Sequence, residues 1–466
     1  MREVYDYAVI GSGPAGHVSA MAAARLGLKT VIVEKNSDMT GGVCLNEGCI
    51  PAKSLFDSAH FFDFVKNHPS LFPGAASSVT GIFPEIMARS AAASDKLKRG
   101  LTAHLKKLGI EMIYGAASFE NKSSLKIVPV EGEPFLISFK KALIASGSSP
   151  KGISDMPFME GKIISSSEAV RMNKVPGNML IVGGGAIGVE FASFFSTMGA
   201  RVSLVEAQAE ILPREDRDVS SAIRGLLRRK GVEVSTSASA KYLSIEEGKV
   251  RTRIVSGGEE KDELYDTVLV AVGRVPATGE LALENAGITV DPRGFIPVEP
   301  SFETASAGIF AAGDVIDSPM LAHAAQAEGE SAAFSARGRQ TKAIDYSSMP
   351  NAVYSAVQAA SVGFTEQEAR KRGPEVIVGK SFFKANGKAV LSGGEEGFVK
   401  IVAEAESKVV LGAHVVGSIA TEIIPELTIA KRLGLTVSDI AWTIHAHPTF
   451  SESVQSAAKE IIFSTI

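Results

Sequence analysis

Cysteine is almost absent from this sequence. Among 466 residues there are two cysteines, Cys44 and Cys49, and one tryptophan. Two cysteines cannot form the disulfide framework that stabilises small secreted proteins, so a purely structural disulfide is the weaker interpretation. Two inert thiols that happen to be close remain the simpler alternative, because free cysteine is a common core residue.

Long apolar runs and an excess of one charge are also missing. No run of about 18 apolar residues exists, so no membrane span is expected. The formal net charge of −4 gives no basic footprint for nucleic acid. The apolar run that begins at Tyr7 reads as a strand and leaves no room for a signal peptide, so we expect a cytoplasmic protein.

The residues that are abundant indicate a large α/β protein. Hydrophobic residues make up 45% of the chain, and 45 residues are glycine. A chain of this length is expected to contain about three domains. The apolar stretch 7–10 predicts a buried parallel strand, 18–26 a helix, and 30–33 a second strand that ends at Glu34.

Between these elements lies a glycine-rich turn with Gly11, Gly13 and Gly16. The glycines permit a tight turn and close approach to a pyrophosphate, and the acid accepts a hydrogen bond from a ribose hydroxyl. With strand, helix and acid all in place, the pattern predicts a dinucleotide site.

The same unit recurs later in the chain. Strands are predicted at 179–182 and 202–205, with Gly183, Gly185 and Gly188 at the turn and Glu206 as the acid. Two copies predict two dinucleotides. The copy beside the cysteines should hold a flavin, which can exchange electrons with a dithiol, and the second a nicotinamide. Glu206 favours NAD, since a 2′-phosphate would meet its carboxylate.

If Cys44 and Cys49 form a disulfide, the stretch 41–53 must be bent. An ideal helix would place residues i and i+5 about 7.5 Å apart along its axis, beyond the reach of a disulfide. Gly48 and Pro51 permit or force a bend, and Pro51 suits the first turn of a helix through about residue 65. Lys53, one turn beyond Cys49, favours the thiolate.

Further elements extend this pattern. We predict a helix at 90–108, a strand and glycine turn at 142–147, a linker at 150–157, and strands at 268–272 and 309–312. Asp314 after the last strand could be only a turn residue or a helix cap. From about residue 347, strands at 398–402 and 411–416 and a helix at 422–433 predict an α+β domain.

A histidine segment lies near the C-terminus. Pro448 favours an extended His447 just before a helix. Thr449 and Glu452 have capping-box spacing, so Glu452 either caps this helix or orients the histidine as a base. His445 and His447 could form half of a metal site, but no acid cluster accompanies them and no metal is expected.

Together these segments resemble the flavin-dependent pyridine nucleotide–disulfide oxidoreductases, and within them the dihydrolipoyl dehydrogenases. The resemblance spans nearly the whole chain and is most specific at 44–53 and 445–449. It implies a redox disulfide in which Cys44 exchanges with substrate sulfur and Cys49 faces FAD. It also implies that Lys53 pairs with Glu190 beside the flavin, and that His447, oriented by Glu452, is the base.

The resemblance implies further cofactor residues and a domain plan. The residues expected to bind FAD are Gly11, Gly13, Gly16, Glu34, Lys53, Gly115, Ala145, Ser146, Gly147, Asp314, Met320, Leu321, Ala322 and His323, and those expected to bind NAD are Gly183, Gly185, Gly188, Glu206 and Gly273. The expected fold is α/β, with two Rossmann-like dinucleotide-binding domains and a C-terminal α+β dimerisation domain. Residues 1–149 with 277–346 would bind FAD, 150–276 would bind NAD, and 347–466 would form the dimer.

The implied reaction oxidises protein-bound dihydrolipoamide and passes hydride to NAD. The implied partners are a second copy of the chain and a lipoyl-bearing acyltransferase or carrier protein of a 2-oxoacid dehydrogenase or glycine cleavage complex. Two alternatives remain: an NAD(P)H-dependent reductase of glutathione or another small disulfide, and a non-catalytic docking flavoprotein. The chain departs from the family at Val43, usually Thr, and at 355–358, usually a Pro-Glu stretch. Neither departure is expected to touch the electron path.

Overall fold

The first part of the chain alternates strands and helices. The structure, a computed structural model, describes residues 4–72, 79–373 and 375–464, without the side chains of 79 and 80. Up to residue 150 the strands are β1 (Val4–Ile10), β2 (Thr30–Glu34), β3 (Glu111–Asn121), β4 (Ser124–Pro129), β5 (Phe135–Ile144) and β6 (Ser148–Pro150), and the helices are α1 (Pro14–Arg25), α2 (Gly42–Asn46), α3 (Cys49–Asn67) and α4 (Val79–Lys107).

The middle part repeats this alternation. Its strands are β7 (Ile163–Ile164), β8 (Asn178–Val182), β9 (Arg201–Val205), β10 (Glu233–Ser235), β11 (Ala238–Glu246), β12 (Lys249–Ser256), β13 (Glu259–Tyr265), β14 (Thr267–Val270) and β15 (Arg274–Pro276), and its helices are α5 (Ser166–Ala169), α6 (Ala186–Thr197) and α7 (Arg217–Arg229).

The last part begins with a single strand and ends in an α+β arrangement. Its strands are β16 (Ile309–Ala311), β17 (Asn351–Val353), β18 (Gln358–Gly363), β19 (Val376–Phe382), β20 (Phe398–Glu404) and β21 (Val410–Gly417), and its helices are α8 (Ala322–Ala336), α9 (Glu366–Lys371), α10 (Gly387–Ser392), α11 (Ala420–Leu433), α12 (Val437–Trp442) and α13 (Glu452–Ser464).

The first sheet places β1 at its centre. Parallel strands lie in the order β3-β2-β1-β5-β16, and the antiparallel β4 joins β3 to β5. Strand β1 is apolar along most of its length because a central parallel strand is covered on both faces. Helices α1 and α8 pack closely, and a Cβ on Gly329 would lie 2.3 Å from the carbonyl oxygen of Ala15.

The second sheet has the same plan. Its parallel strands lie in the order β10-β9-β8-β14-β7, so β8 takes the place of β1 and β9 that of β2. A separate antiparallel sheet of β11, β12 and β13 follows. In both sheets the glycine turn therefore lies at the carboxyl end of a central strand, where open α/β sheets bind ligands.

The last of the three large sheets, called the third sheet below, is antiparallel, in the order β17-β18-β21-β20-β19, and it packs against α11 and α13. Its core is a separate cluster of buried apolar side chains. The predicted fold class, two parallel α/β units followed by an α+β domain, is confirmed.

Two predicted helix starts were wrong. The helix expected at 18–26 begins at Pro14 and ends at Arg25, because proline is well suited to the first turn of a helix. The helix expected at 90–108 begins at Val79 and ends at Lys107. Pro84 lies inside it, and a proline is usually a reason to place a helix boundary nearby. Within the described part of the chain, no helix is both long enough and apolar enough to cross a bilayer.

Candidate redox site

The two cysteines lie on either side of a break between helices. Helix α2 ends at Asn46 and α3 begins at Cys49, so the predicted bend at Gly48 is confirmed. A Cβ on Gly48 would lie 3.1 Å from the carbonyl oxygen of Val43 and 3.3 Å from the Cα of Cys44. Because Gly48 has no side chain, the start of α3 can lie directly against the backbone of Val43 and Cys44 in α2.

Both cysteines are partly buried free thiols that interact directly. The Cys44 thiol donates a hydrogen bond to the Cys49 sulfur, which raises the pKa of Cys44. This bond, helped by the ammonium of Lys53, lowers the pKa of Cys49 to about 7. The two thiols are therefore unequal, and Cys49 is the one that ionises more readily.

Lys53 is held by a buried carboxylate. Its Nζ lies 3.0 Å from Oε1 and 2.9 Å from Oε2 of Glu190, which is the ion pair that the resemblance implied. Burial acts to lower the pKa of Lys53, but Glu190 outweighs burial and the pKa is raised. Burial also raises the pKa of Glu190, against the effect of Lys53. Lys53 thus remains a cation one helical turn from Cys49.

The first glycine turn has the geometry of a dinucleotide site. Gly11 has a φ of +97°, and its Cβ would lie 2.4 Å from the carbonyl oxygen of Ala145. A Cβ on Gly16 would lie 1.9 Å from the carbonyl oxygen of Gly11, whereas a Cβ on Gly13 would meet no atom within 4 Å. The open space above Gly13 is where a pyrophosphate would approach the backbone.

The acid of this turn is buried and hydrogen-bonded to the turn itself. Glu34 Oε2 accepts hydrogen bonds from the backbone N–H and the hydroxyl of Ser12, at 2.9 and 2.6 Å. The cysteine segment packs directly on the turn, since a Cβ on Gly42 would lie 2.6 Å from the Cα of Gly13. The first turn and the thiol pair therefore form one site.

The second turn repeats this geometry. Gly183 has a φ of +112°, and its Cβ would lie 2.4 Å from the carbonyl oxygen of Ala271. A Cβ on Gly188 would lie 1.8 Å from the carbonyl oxygen of Gly183, and a Cβ on Gly185 would meet no atom within 4 Å. Glu206 Oε2 accepts from the Gly184 N–H at 2.6 Å.

Gly273, also expected at the nicotinamide, precedes β15. Its φ is +120°, and its carbonyl oxygen accepts from the Lys151 N–H at 3.0 Å. The position therefore has a conformational reason to be glycine. Its cofactor role stays a prediction.

The other predicted FAD residues lie at the ends of the first sheet. Ala145, Ser146 and Gly147 follow β5, and the Ser146 hydroxyl donates to the Ala277 carbonyl oxygen at 2.8 Å. Asp314 follows β16 and accepts a short hydrogen bond from the Ser148 hydroxyl. These residues come together at the carboxyl edge that also carries the first turn.

Met320 and Leu321 lead into α8, which begins with Ala322 and His323. His323 Nε2 lies 2.8 Å from the carbonyl oxygen of Pro350. Gly115 lies in β3, where its Cβ would be 2.6 Å from the Val128 carbonyl oxygen, so close strand packing also explains it. The cofactor role of each of these residues stays a prediction.

His447 is not brought to the cysteines of its own chain. Its side chain is 79% exposed, and its Nδ1 lies 2.9 Å from Glu452 Oε1. The Glu452 carboxylate also accepts from the Thr449 N–H at 2.8 Å, whereas the Thr449 hydroxyl donates to the Ala446 carbonyl oxygen. The capping box is thus half formed, and α13 begins at Glu452 rather than just after Thr449.

Sequence reasoning missed three contacts in the site. The first is the hydrogen bond from the Ser12 hydroxyl to Glu34. The second is the contact of Lys53 with the Tyr354 ring, and the third is the hydrogen bond from Arg274 Nε to the Ser148 hydroxyl. Ser12 could have been noted from its place inside the glycine turn. The other two join residues that are far apart in sequence, for which the sequence offered no indication.

The 355–358 departure lies close to the ion pair of Lys53 and Glu190. The N–H of Tyr354, immediately before this stretch, donates to Glu190 Oε1 at 2.8 Å. That the stretch does not touch the electron path stays a prediction. Ser355 and Ala356 line a small cavity together with Glu190. The Ala356 N–H also donates to the Ser193 hydroxyl.

Two dinucleotide turns and a thiol pair packed on one of them define a nucleotide-dependent disulfide oxidoreductase. The chain belongs to the pyridine nucleotide–disulphide oxidoreductases, which it matches over residues 5–329, and it matches the dimerisation domain of that family over 349–458. Membership implies FAD and NAD(P).

The chain is similar to two curated proteins named dihydrolipoyl dehydrogenase. That of Geobacillus stearothermophilus is 39% identical, over 97% of this chain and 95% of the relative. That of Trypanosoma brucei brucei is 36% identical, over 99% and 97%. Among solved structures, the HOCl-induced flavoprotein disulfide reductase RclA from Escherichia coli, as a Cu(II) complex, has a TM-score of 0.88 at 28% identity, covering 98% of this chain and 99% of that one.

Proposed function

We propose that this protein oxidises protein-bound dihydrolipoamide to lipoamide, with FAD as the first electron acceptor and NAD as the last. The observation that carries the proposal is the unequal thiol pair, Cys44 and Cys49, packed on the first glycine turn. The lipoyl substrate is proposed from the full-length similarity to dihydrolipoyl dehydrogenases.

The residues present fit both cofactors. A pyrophosphate has open backbone to approach at Gly13 and at Gly185, and each turn ends in a buried acid, Glu34 or Glu206, suited to a ribose hydroxyl. We assign FAD to the first turn because the thiols pack on it, and NAD to the second. When bound, FAD accepts electrons from a dithiol and NAD accepts hydride.

The two cysteines have separate roles in this proposal. In the oxidised protein a lipoyl thiolate attacks the sulfur of Cys44, so the Cys44–Cys49 bond breaks and Cys49 leaves as a thiolate. Cys49 suits a leaving group because a low thiol pKa favours departure. The second lipoyl sulfur then displaces Cys44 and closes the lipoyl disulfide. Lys53 stabilises the charge left on Cys49.

His447 would hold the protons of this exchange. Its Nε2 is free to take a proton from the incoming dithiol because Nδ1 faces Glu452 Oε1. The carboxylate fixes the ring orientation. With 79% of its side chain exposed in the single chain, His447 is available to a second copy.

A homodimer agrees with the dimerisation-domain match over residues 349–458. Trp442 and Ile444, close to His447, are 64% and 93% exposed, as expected of apolar residues that a partner covers. We propose that the partner's His447 serves the Cys44 of each chain. The domain bounds 1–149 with 277–346, 150–276 and 347–466 are proposed too, supported by the return of β16 to the first sheet.

The proposed activity is tested by substrate comparison. The purified protein with FAD should oxidise dihydrolipoamide with NAD far faster than it reduces glutathione with NADH or NADPH. Preferential reduction of glutathione or another small disulfide would instead make it a reductase. No turnover with either, in protein that retains FAD, would favour a docking flavoprotein.

The shared site is tested by mixed dimers. Cys49→Ser and His447→Ala should each be nearly inactive alone. When both chains are co-expressed, one site of a mixed dimer carries both changes and the other carries neither, so up to about half the sites recover. Verified mixed dimers without recovery would contradict a base delivered across the interface.

Affinity capture of a lipoyl-bearing acyltransferase or carrier protein would test the proposed partner. The cytoplasmic location stays a prediction.

A further inference from the structure

Lys53 lies between two aromatic rings as well as against Glu190. Its Nζ is 4.8 Å from the ring centroid of Tyr354 and 5.6 Å from that of Phe56. Both distances are within the range in which an ammonium is attracted to the face of an aromatic ring. Phe56 belongs to α3, like Lys53, whereas Tyr354 comes from the segment between β17 and β18.

Tyr354 also contacts the carboxylate that pairs with Lys53. Its backbone N–H donates to Glu190 Oε1 at 2.8 Å. The same residue therefore holds the anion with its backbone and the cation with its ring. Because Glu190 is only 4% exposed, its hydrogen bonds fix where the ammonium of Lys53 is held.

The position of Lys53 matters because of its place on α3. Cys49 and Lys53 are four residues apart, so their side chains lie on the same face of the helix. A shift of the ammonium towards or away from Cys49 changes how strongly it stabilises a thiolate there. Glu190 and Phe56 contact Lys53 from helices, whereas the ring of Tyr354 contacts it from the connection between two strands of the third sheet.

We propose that Tyr354 is a positioning residue whose ring holds Lys53 between Glu190 and Cys49 and so controls the charge on Cys49. This inference rests on the proposed role of Cys49 in the redox pair. The dimerisation domain would then influence both cysteines. Tyr354 acts on Cys49 of its own chain, and His447 is proposed to act on Cys44 of the partner chain.

The groups that face Cys49 come from several elements. They are Cys44 of α2, Lys53 of α3, Glu190 of α6, Arg274 of β15 and Tyr354. Among these groups, Lys53 is the one whose ammonium lies over the face of the Tyr354 ring. A change confined to that ring should therefore reach Cys49 through Lys53.

The test measures the Cys49 thiolate rather than turnover. The protein with bound FAD is reduced, and the rate at which iodoacetamide alkylates Cys49 is followed from pH 5 to pH 9 by mass spectrometry. Tyr354→Phe keeps the ring and should leave the midpoint unchanged. Tyr354→Leu should raise the midpoint by about half a unit or more, because Lys53 is held less firmly. Tyr242→Leu, which removes a half-buried tyrosine from β11, is the matched control and should have no effect.

A second replacement at position 354 keeps the proposal testable if the Tyr354→Leu variant does not fold. Trifluorophenylalanine at position 354 keeps the shape of the ring but weakens its attraction for a cation, and it should shift the midpoint in the same direction as Leu. An unchanged midpoint in the fluorinated protein would overturn the proposal, as would a Phe variant that shifts as far as Leu. Because thiol titration needs no lipoyl substrate, a failure of the proposed activity would be seen separately in the turnover assay.

Discussion

The two glycine turns are built alike but connected differently. In both, the N–H of the first glycine donates at 2.8 Å to the carbonyl oxygen of the residue just before the acid, from Gly11 to Val33 and from Gly183 to Val205. The acids also match, because Glu34 Oε1 accepts from the Asn36 N–H as Glu206 Oε1 accepts from the Gln208 N–H. Backbone geometry alone therefore does not distinguish the two sites.

The difference lies in the residue after the first glycine. Ser12 donates from its hydroxyl to Glu34, and the same oxygen accepts from the Gly41 N–H at 3.0 Å, which ties the turn to the cysteine segment. Gly184 has no room for a hydroxyl, since its Cβ would lie 2.9 Å from atoms of Glu206 and Ile211. The two copies of the fold unit thus differ in a single side chain of the turn and in the segment that follows the acid.

The largest expected effect separates the two turns by cofactor. Gly13→Ala adds a Cβ that touches no protein atom, so it should obstruct only the bound dinucleotide. We expect loss of most FAD and about 100-fold lower activity. Gly185→Ala should retain FAD and raise KM for NAD by about tenfold. Flavin absorbance and NAD kinetics measure both, and equal loss of FAD in the two variants would contradict the assignment.

A smaller effect, on stability, is expected when Ser12 and Gly184 are each replaced by the residue at the equivalent position of the other turn. Ser12→Gly removes the hydroxyl bonded to Glu34 and Gly41 and should lower the free energy of unfolding by about 1–2 kcal/mol. Gly184→Ser places atoms against Glu206 and Ile211 and should cost about 1–3 kcal/mol. Thermal unfolding of the FAD-bound protein measures both. Two neutral exchanges would mean that the turns are interchangeable at this position.

A structural feature could be predicted from the sequence when its cause lies within a short stretch of the chain. Gly16 was predictable because a Cβ there would clash with Gly11 of the same turn, and Gly11 because its turn has a positive φ. Gly48 was predictable because a bend between two nearby cysteines needs a residue without a side chain. Tyr354 was not predictable, because its contact with Glu190 spans 164 residues and depends on how the third sheet docks. The start of α4 was missed because Pro84 lies within a helix whose packing outweighs the local preference.

The smallest expected effect concerns the two acids. Glu206→Gln removes the charge that a 2′-phosphate would meet, so the preference for NAD over NADP should narrow by about fivefold. Glu34→Gln is the matched control, because it changes the equivalent acid of the other turn and should leave that ratio unchanged. The ratio of kcat/KM for the two nucleotides is the measurement. An enzyme that already uses both equally would refute NAD specificity at Glu206.

The late strand of the first sheet sets an order of assembly during synthesis. Strand β16 pairs with β5, although the whole second sheet lies between them in the chain. The ribosome therefore releases every strand of the second sheet, through Val270, before it releases Ile309. Because nascent domains fold as units once they emerge, the second sheet can be complete while the first still lacks an edge strand and Asp314. The unit that begins first along the chain is thus the later of the two to be completed.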